Sequence, residues 1–251
     1  MKNILVPIGS IENGINNLRY ATSFAAMTNA RIYVTCIKTL ATELILKEVL
    51  ENVSTKDVQV VSKTISGDIF EGVSQLSKSH KIDLIVLSPQ SVEIKDEVYL
   101  GKVTTKIIRQ TDIPLLIVPP NYLFRKIDTI LFAFKNSKIE TTKASQTLKA
   151  LIDMFHAKLD LLQVVTPDTS GNDRKIKPEL KALMSRDITS ENATVFQGIV
   201  EHFNGLNPEM LCVLRRKDTG GFFKKLLRQN EVILKEQFFT TKPLLILKEH
   251  E

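Results

Sequence analysis

The chain has 251 residues, of which 43% are hydrophobic and 25% are charged, which is the composition of a globular protein. The formal net charge of +6 is spread along the chain and no RNA- or DNA-binding motif accompanies it, so we expect no nucleic-acid partner. No stretch approaches the roughly 20 apolar residues that span a membrane, and the first residues lack the apolar core of a signal peptide. We therefore expect a cytoplasmic protein without a membrane partner.

The first half of the chain predicts five short strands separated by helices. Each strand is apolar and β-branched, as strands buried on both faces are, and we place them at residues 3–8, 31–37, 58–63, 83–88 and 115–118. The helix predicted between the first two strands has one face formed by Ile15, Leu18, Thr22 and Ala25. Strands that alternate with helices predict right-handed crossovers and a parallel sheet.

The second half repeats this pattern after a linker, residues 119–125, that begins with two prolines. Three strand-like segments recur in the same order, at offsets of 126, 126 and 129 residues: 4–8 as 130–134, 83–87 as 209–213, and 113–118 as 242–247. Between them we predict a helical face of Ala144, Leu148, Leu151, Ile152 and Phe155, a strand at 159–165, a loop at 166–172 and a helix from Pro178. The sequence therefore predicts two tandem domains, 1–120 and 126–251.

Several of these segments resemble universal stress proteins. In the first half they are the opening run 1–7, the strand 83–87, the helix start 100–104 and the segment 113–119; in the second half they are 215–217, 221–226 and 242–247. The resemblance implies two Rossmann-like domains of the adenine-nucleotide α-hydrolase type, each a five-stranded parallel sheet with helices on both faces. It also implies pairing of the domains through their last strands, 115–118 and 244–247, which makes the chain an internal pseudo-dimer and allows a homodimer.

ATP-binding members of that family carry Gly-x-x-Gly, nine residues, and then Gly-Ser/Thr, which let backbone amides approach the phosphates. Here the spacing is retained but the residues differ: Ser88 and Ser91 replace the first two glycines, Gly101 keeps the third, and Lys102 replaces the hydroxyl residue, with Thr104 close by. Three carboxylates lie in the intervening segment 92–100, and Gly9 stands where the family has an aspartate. The resemblance completes the candidate nucleotide set with Ser10 and Ile37. The segment is interpreted either as a variant anion site or as a loop that binds nothing.

The second half lacks the Gly-x-x-Gly pattern and has a basic segment, 215–228, in its place, with six basic residues and one acid. Its candidate anion or partner residues are Arg215, Arg216, Lys217, Gly220 and Gly221, since two glycines before a helix can form an amide nest. A solvated basic face is the alternative. The end of its first strand, Lys135-Asn136, also lacks the aspartate.

The sequence contains no recognisable catalytic or metal-binding pattern. The histidines are not spaced as ligand pairs, and no nucleophile elbow, Walker lysine loop or zinc-protease motif is present. Cys36 and Cys212 lie in apolar runs and are expected to be buried core thiols. Asp68 is expected to cap or begin a helix.

Three functions follow, in order of preference. The first is a non-enzymatic stress-response protein with a degenerate nucleotide site, acting through dimer or partner contacts and without a cofactor. The second is a regulatory switch that binds ATP or AMP through 88–104, with slow ATP hydrolysis at most. The third is a module that binds an acidic protein partner through the basic segment 215–228.

Overall fold

The computed structural model describes residues 1–88, 102–135, 138–139, 142–167, 175–176, 178–215 and 242–248. The chain divides into two compact units, Met1–Phe124 (unit one) and Arg125–Glu251 (unit two). Both units have an α/β fold built on parallel strands, as the alternation of strands and helices predicted.

In the described residues of unit one, strands and helices alternate from the first strand to the fifth. Its elements are β1 (Asn3–Pro7), α1 (Ile11–Thr28), β2 (Arg31–Ile37), α2 (Thr42–Glu51), β3 (Val60–Ile65), α3 (Ile69–Ser79), β4 (Leu84–Leu87), α4 (Lys102–Gln110) and β5 (Leu115–Ile117). The strands are ordered β5-β4-β1-β2-β3 and all pairs are parallel. The chain therefore moves outward in one direction from β1 and then in the other, so right-handed crossovers place α1 and α2 on one face and α3 and α4 on the other.

The core of unit one is formed by its central strands. The side chains of Ile4, Leu5 and Val6 in β1 and of Ile85 and Val86 in β4 have no exposed surface. A strand between two others in a doubly covered parallel sheet meets helices on both faces, so successive residues are all apolar. This explains why the continuous apolar runs were reliable strand signals.

Unit two has the same order of strands, β12-β11-β6-β8-β10, and again its pairs are parallel. Its elements are β6 (Thr129–Lys135), β7 (Lys138–Ile139), α5 (Thr142–Phe155), β8 (Lys158–Val165), β9 (Lys175–Ile176), α6 (Pro178–Ala182), β10 (Met184–Glu191), α7 (Val195–Leu206), β11 (Met210–Arg215) and β12 (Leu244–Lys248). The two short strands β7 and β9 pair with each other outside the main sheet.

The structure corrects the predicted elements in two places. The third strand of unit one lies at Val60–Ile65, two residues later than predicted, because residues 56–58 form a turn. In unit two the helix at Pro178 has only five residues, and the chain continues into the strand β10, the expected third strand, whose position the sequence did not indicate. Most residues of β10 are exposed to solvent. The strand therefore lacks the apolar run that identified the other strands.

The two units share details that the strand pattern did not reveal. Asp83 accepts hydrogen bonds from the backbone N–H groups of Lys2 and Asn3, and Glu209 accepts one from Thr129, at the start of β6. Asp83 lies 80 residues after Asn3, and Glu209 lies 80 residues after Thr129, so the two hydrogen bonds join equivalent positions. The same end of the first strand is therefore held in the same way in each unit.

Helices α3 and α7 also correspond, again at an offset of 126 residues. Their N-caps are Asp68 and Thr194. After the helices, Lys81 and Asn207 both adopt left-handed backbone conformations, with φ of 49° and 47°. A non-glycine residue with positive φ is uncommon, so its recurrence at the same offset is a strong internal correspondence.

An aromatic cluster attaches the end of unit one to its first helix. The ring centroid of Phe124 lies 5.4 Å from that of Tyr20 and 6.1 Å from that of Phe24, both in edge-to-face geometry. Tyr122 lies 6.2 Å from Tyr20, and burial raises the pKa of the Tyr20 hydroxyl. The segment after β5 therefore packs onto α1.

We expect Phe124→Ala to lower the free energy of unfolding by about 1 kcal/mol, because a half-buried ring loses two aromatic contacts. Urea unfolding of the full chain, followed by circular dichroism, measures the change. Leu123→Ala is the matched control, since Leu123 is 63% exposed and should be nearly neutral. Equal effects of the two substitutions would show that the aromatic cluster does not stabilise the unit.

Candidate functional site

The switch point of unit one lies between β1 and β4, where the order of the strands reverses. In open α/β sheets, ligands bind in the crevice at the carboxyl ends of the strands at such a point. Gly9 and Ser10 follow β1, and Ser88 follows β4. The topology therefore brings these three predicted residues to one end of neighbouring strands, which we call the carboxyl edge of unit one.

Ser10 has a defined local role at this edge. It is the N-cap of α1, and its hydroxyl accepts a hydrogen bond of 3.4 Å from the backbone N–H of Asn13. The first N–H groups of a helix are otherwise unsatisfied, and the cap occupies one of them. The remaining positive potential at the start of α1 faces the carboxyl edge.

Gly9 has no structural need to be glycine. It is exposed, its φ is not in the left-handed region, and a Cβ atom built on it would meet nothing within 4 Å. A β-carbon is therefore tolerated at Gly9, and packing around the Cα atom does not require glycine.

Ile37 ends β2 and is 41% exposed. The loop that follows is tied down by Thr42, whose hydroxyl donates to the carbonyl of Ile37 at 2.9 Å and accepts from the N–H of Thr39 at 2.6 Å. Leu40, in the segment after β2, and Leu44, in the first turn of α2, are also exposed.

The other predicted nucleotide residues lie at β4 and α4. Ser88 and Thr104 are both buried, with 7% and 9% exposure, and Lys102 is the first residue of α4. Ser91 and Gly101 lie outside the described residues, so the loop between β4 and α4 stays a prediction.

One ion pair at the carboxyl edge was not predicted from the sequence. The ammonium of Lys106, in α4, lies 3.1 Å and 3.0 Å from the two carboxylate oxygens of Asp68. Asp68 is the N-cap of α3, as expected, and accepts from the N–H groups of Phe70 and Glu71. The hydrogen bond from Lys106, followed by those from the backbone, lowers the pKa of the Asp68 carboxyl. The two residues are 38 positions apart, so no local spacing could have indicated the pair.

The corresponding edge of unit two differs in its charges. Lys135, the last residue of β6, occupies the position that Gly9 has in unit one, at the offset of 126. Arg215 ends β11 and is the one candidate of the basic segment that the structure describes. Arg216, Lys217, Gly220 and Gly221 lie outside the described residues, and the proposed basic site remains a prediction.

The two cysteines are buried, which confirms the expectation of core thiols. Burial raises the pKa of both thiols, and for Cys36 a hydrogen bond with Thr42 partly opposes this effect. Neutral buried thiols are poor nucleophiles.

Among the described residues, no group of three histidine, cysteine, aspartate or glutamate side chains could hold a metal ion. In the same ranges no helix is both long and apolar enough to cross a membrane.

Comparison with known proteins matches residues 1–119 to the universal stress protein family. No curated protein matches the sequence of the chain. The family match covers every described strand and helix of unit one, including the carboxyl edge.

Solved structures resemble the chain over nearly its whole length. A universal stress protein from Archaeoglobus fulgidus DSM 4304 has a TM-score of 0.72 at 14% identity, covering 99% of this chain and 98% of that one. A functionally unknown protein from Pseudomonas aeruginosa PAO1 has a TM-score of 0.65 at 15% identity, covering 99% and 92%. The cytoplasmic domain of a prokaryotic cation chloride cotransporter has 0.55 at 12%, covering 98% and 94%. At these identities the likeness concerns the fold.

Proposed function

We propose that this chain is a non-enzymatic stress-response protein of the universal stress protein type that acts through contacts with partners or a second copy. The observation that carries the proposal is the family match of unit one, combined with a sequence that lacks four of the five residues of the family's nucleotide site. Gly9 replaces the aspartate although a β-carbon has room there, so packing around the Cα atom does not force glycine at this position.

Unit two is proposed to be a second, degenerate copy of the same domain. Unit two has the same strand order as unit one. In addition, the helix cap Thr194, the left-handed residue Asn207 and the carboxylate of Glu209 each have a counterpart 126 residues earlier. Its carboxyl edge has Lys135 in place of the aspartate. The domain limits 1–120 and 126–251, and pairing through the last strands, belong to this proposal.

The second candidate function is binding of ATP or AMP at the carboxyl edge of unit one. It is favoured by the convergence of Gly9, Ser10 and Ser88 at the switch point and by the start of α4 at Lys102. Helix starts at this edge suit phosphate groups. Four of the five positions at which the family carries its nucleotide-binding residues nevertheless hold a different residue: Gly9, Ser88, Ser91 and Lys102.

Thermal unfolding of the full chain with ATP, ADP and AMP, with and without magnesium, decides between the two. A ligand that binds the native state raises the melting temperature, by an amount that grows with ligand concentration above the Kd. We expect no shift at millimolar nucleotide. Stoichiometric binding at micromolar affinity in calorimetry would overturn the first proposal, and its loss in Gly101→Val would assign the second to 88–104.

A further inference from the structure

We draw no further inference here: the strongest candidate, the surface with the exposed side chains of Leu40 and Leu44, in the segment after β2 and the first turn of α2, carries no proposal because nothing in the described residues shows what partner covers it.

Discussion

Arg186→Met is expected to cause the largest loss of stability among the substitutions proposed for this protein. Asp160 lies in β8 with no exposed surface, and Arg186 of β10 holds both of its carboxylate oxygens, at 3.0 Å and 2.7 Å. The hydrogen bonds to Asp160, and then its charge, raise the pKa of the Arg186 guanidinium. Without the arginine, a carboxylate stays buried without its partner.

The expected penalty falls on Asp160. Leaving a buried carboxylate without its ion-pair partner costs about 3–5 kcal/mol of unfolding free energy. Arg186 itself is half exposed, which allows water to reach the vacated position, so the lower end of that range is expected. Urea unfolding of the full chain by circular dichroism measures the shift of the midpoint.

Two control variants separate this effect from a general loss of charge. Asp160→Leu combined with Arg186→Met removes both members of the pair and should recover most of the stability, because no unpaired charge is left. Lys126→Met breaks an exposed pair with Asp128 and should change little. An equal urea midpoint for Arg186→Met and Lys126→Met would show that the buried pair stabilises the fold no more than an exposed pair does.

The elements that were predicted correctly are those whose identity is written in local sequence. β1 and β4 are central strands with continuous apolar runs, residues 4–6 and Leu84–Leu87, and these runs identify them as strands. Asp68 as a helix cap follows from the residue type and the helical pattern after it. The offset of 126 residues was visible because the repeated strands are of this kind.

The features that were missed depend on contacts across the fold. Lys106 and Asp68 are 38 residues apart, and Arg186 and Asp160 are 26 apart, so only the packing of α3 on α4 and of β10 on β8 brings them together. The position of β10 was missed for the same reason, because β10 is a strand through its pairing with β8 and has no apolar run of its own. For the candidate site, the strand order places the residues that follow β1 to β4 at one edge of the sheet. The binding chemistry of that edge depends on the loop between β4 and α4, which lies outside the described residues.

Two glycines at equivalent positions, Gly72 in α3 and Gly198 in α7, explain why the helices approach their sheets so closely. A Cβ atom on Gly72 would lie 2.7 Å from Cγ1 and 2.9 Å from Cβ of Ile65, with Cγ2 of the same residue nearer still. On Gly198 it would lie 2.7 Å and 3.0 Å from the two methyl carbons of Val164. Both obstructing side chains are β-branched, and such side chains have few alternative rotamers.

We therefore expect Gly72→Ala and Gly198→Ala each to lower the free energy of unfolding by about 2 kcal/mol, because overpacking outweighs the gain in helix propensity. Gly205→Ala is the control within α7: its Cβ would meet nothing within 4 Å, so propensity alone acts and the variant should be more stable by up to about 1 kcal/mol. Urea unfolding of the full chain compares the three. Opposite signs for Gly198 and Gly205 would establish close helix–sheet contact as the reason for the repeated glycine, whereas stabilisation by all three alanines would reject it.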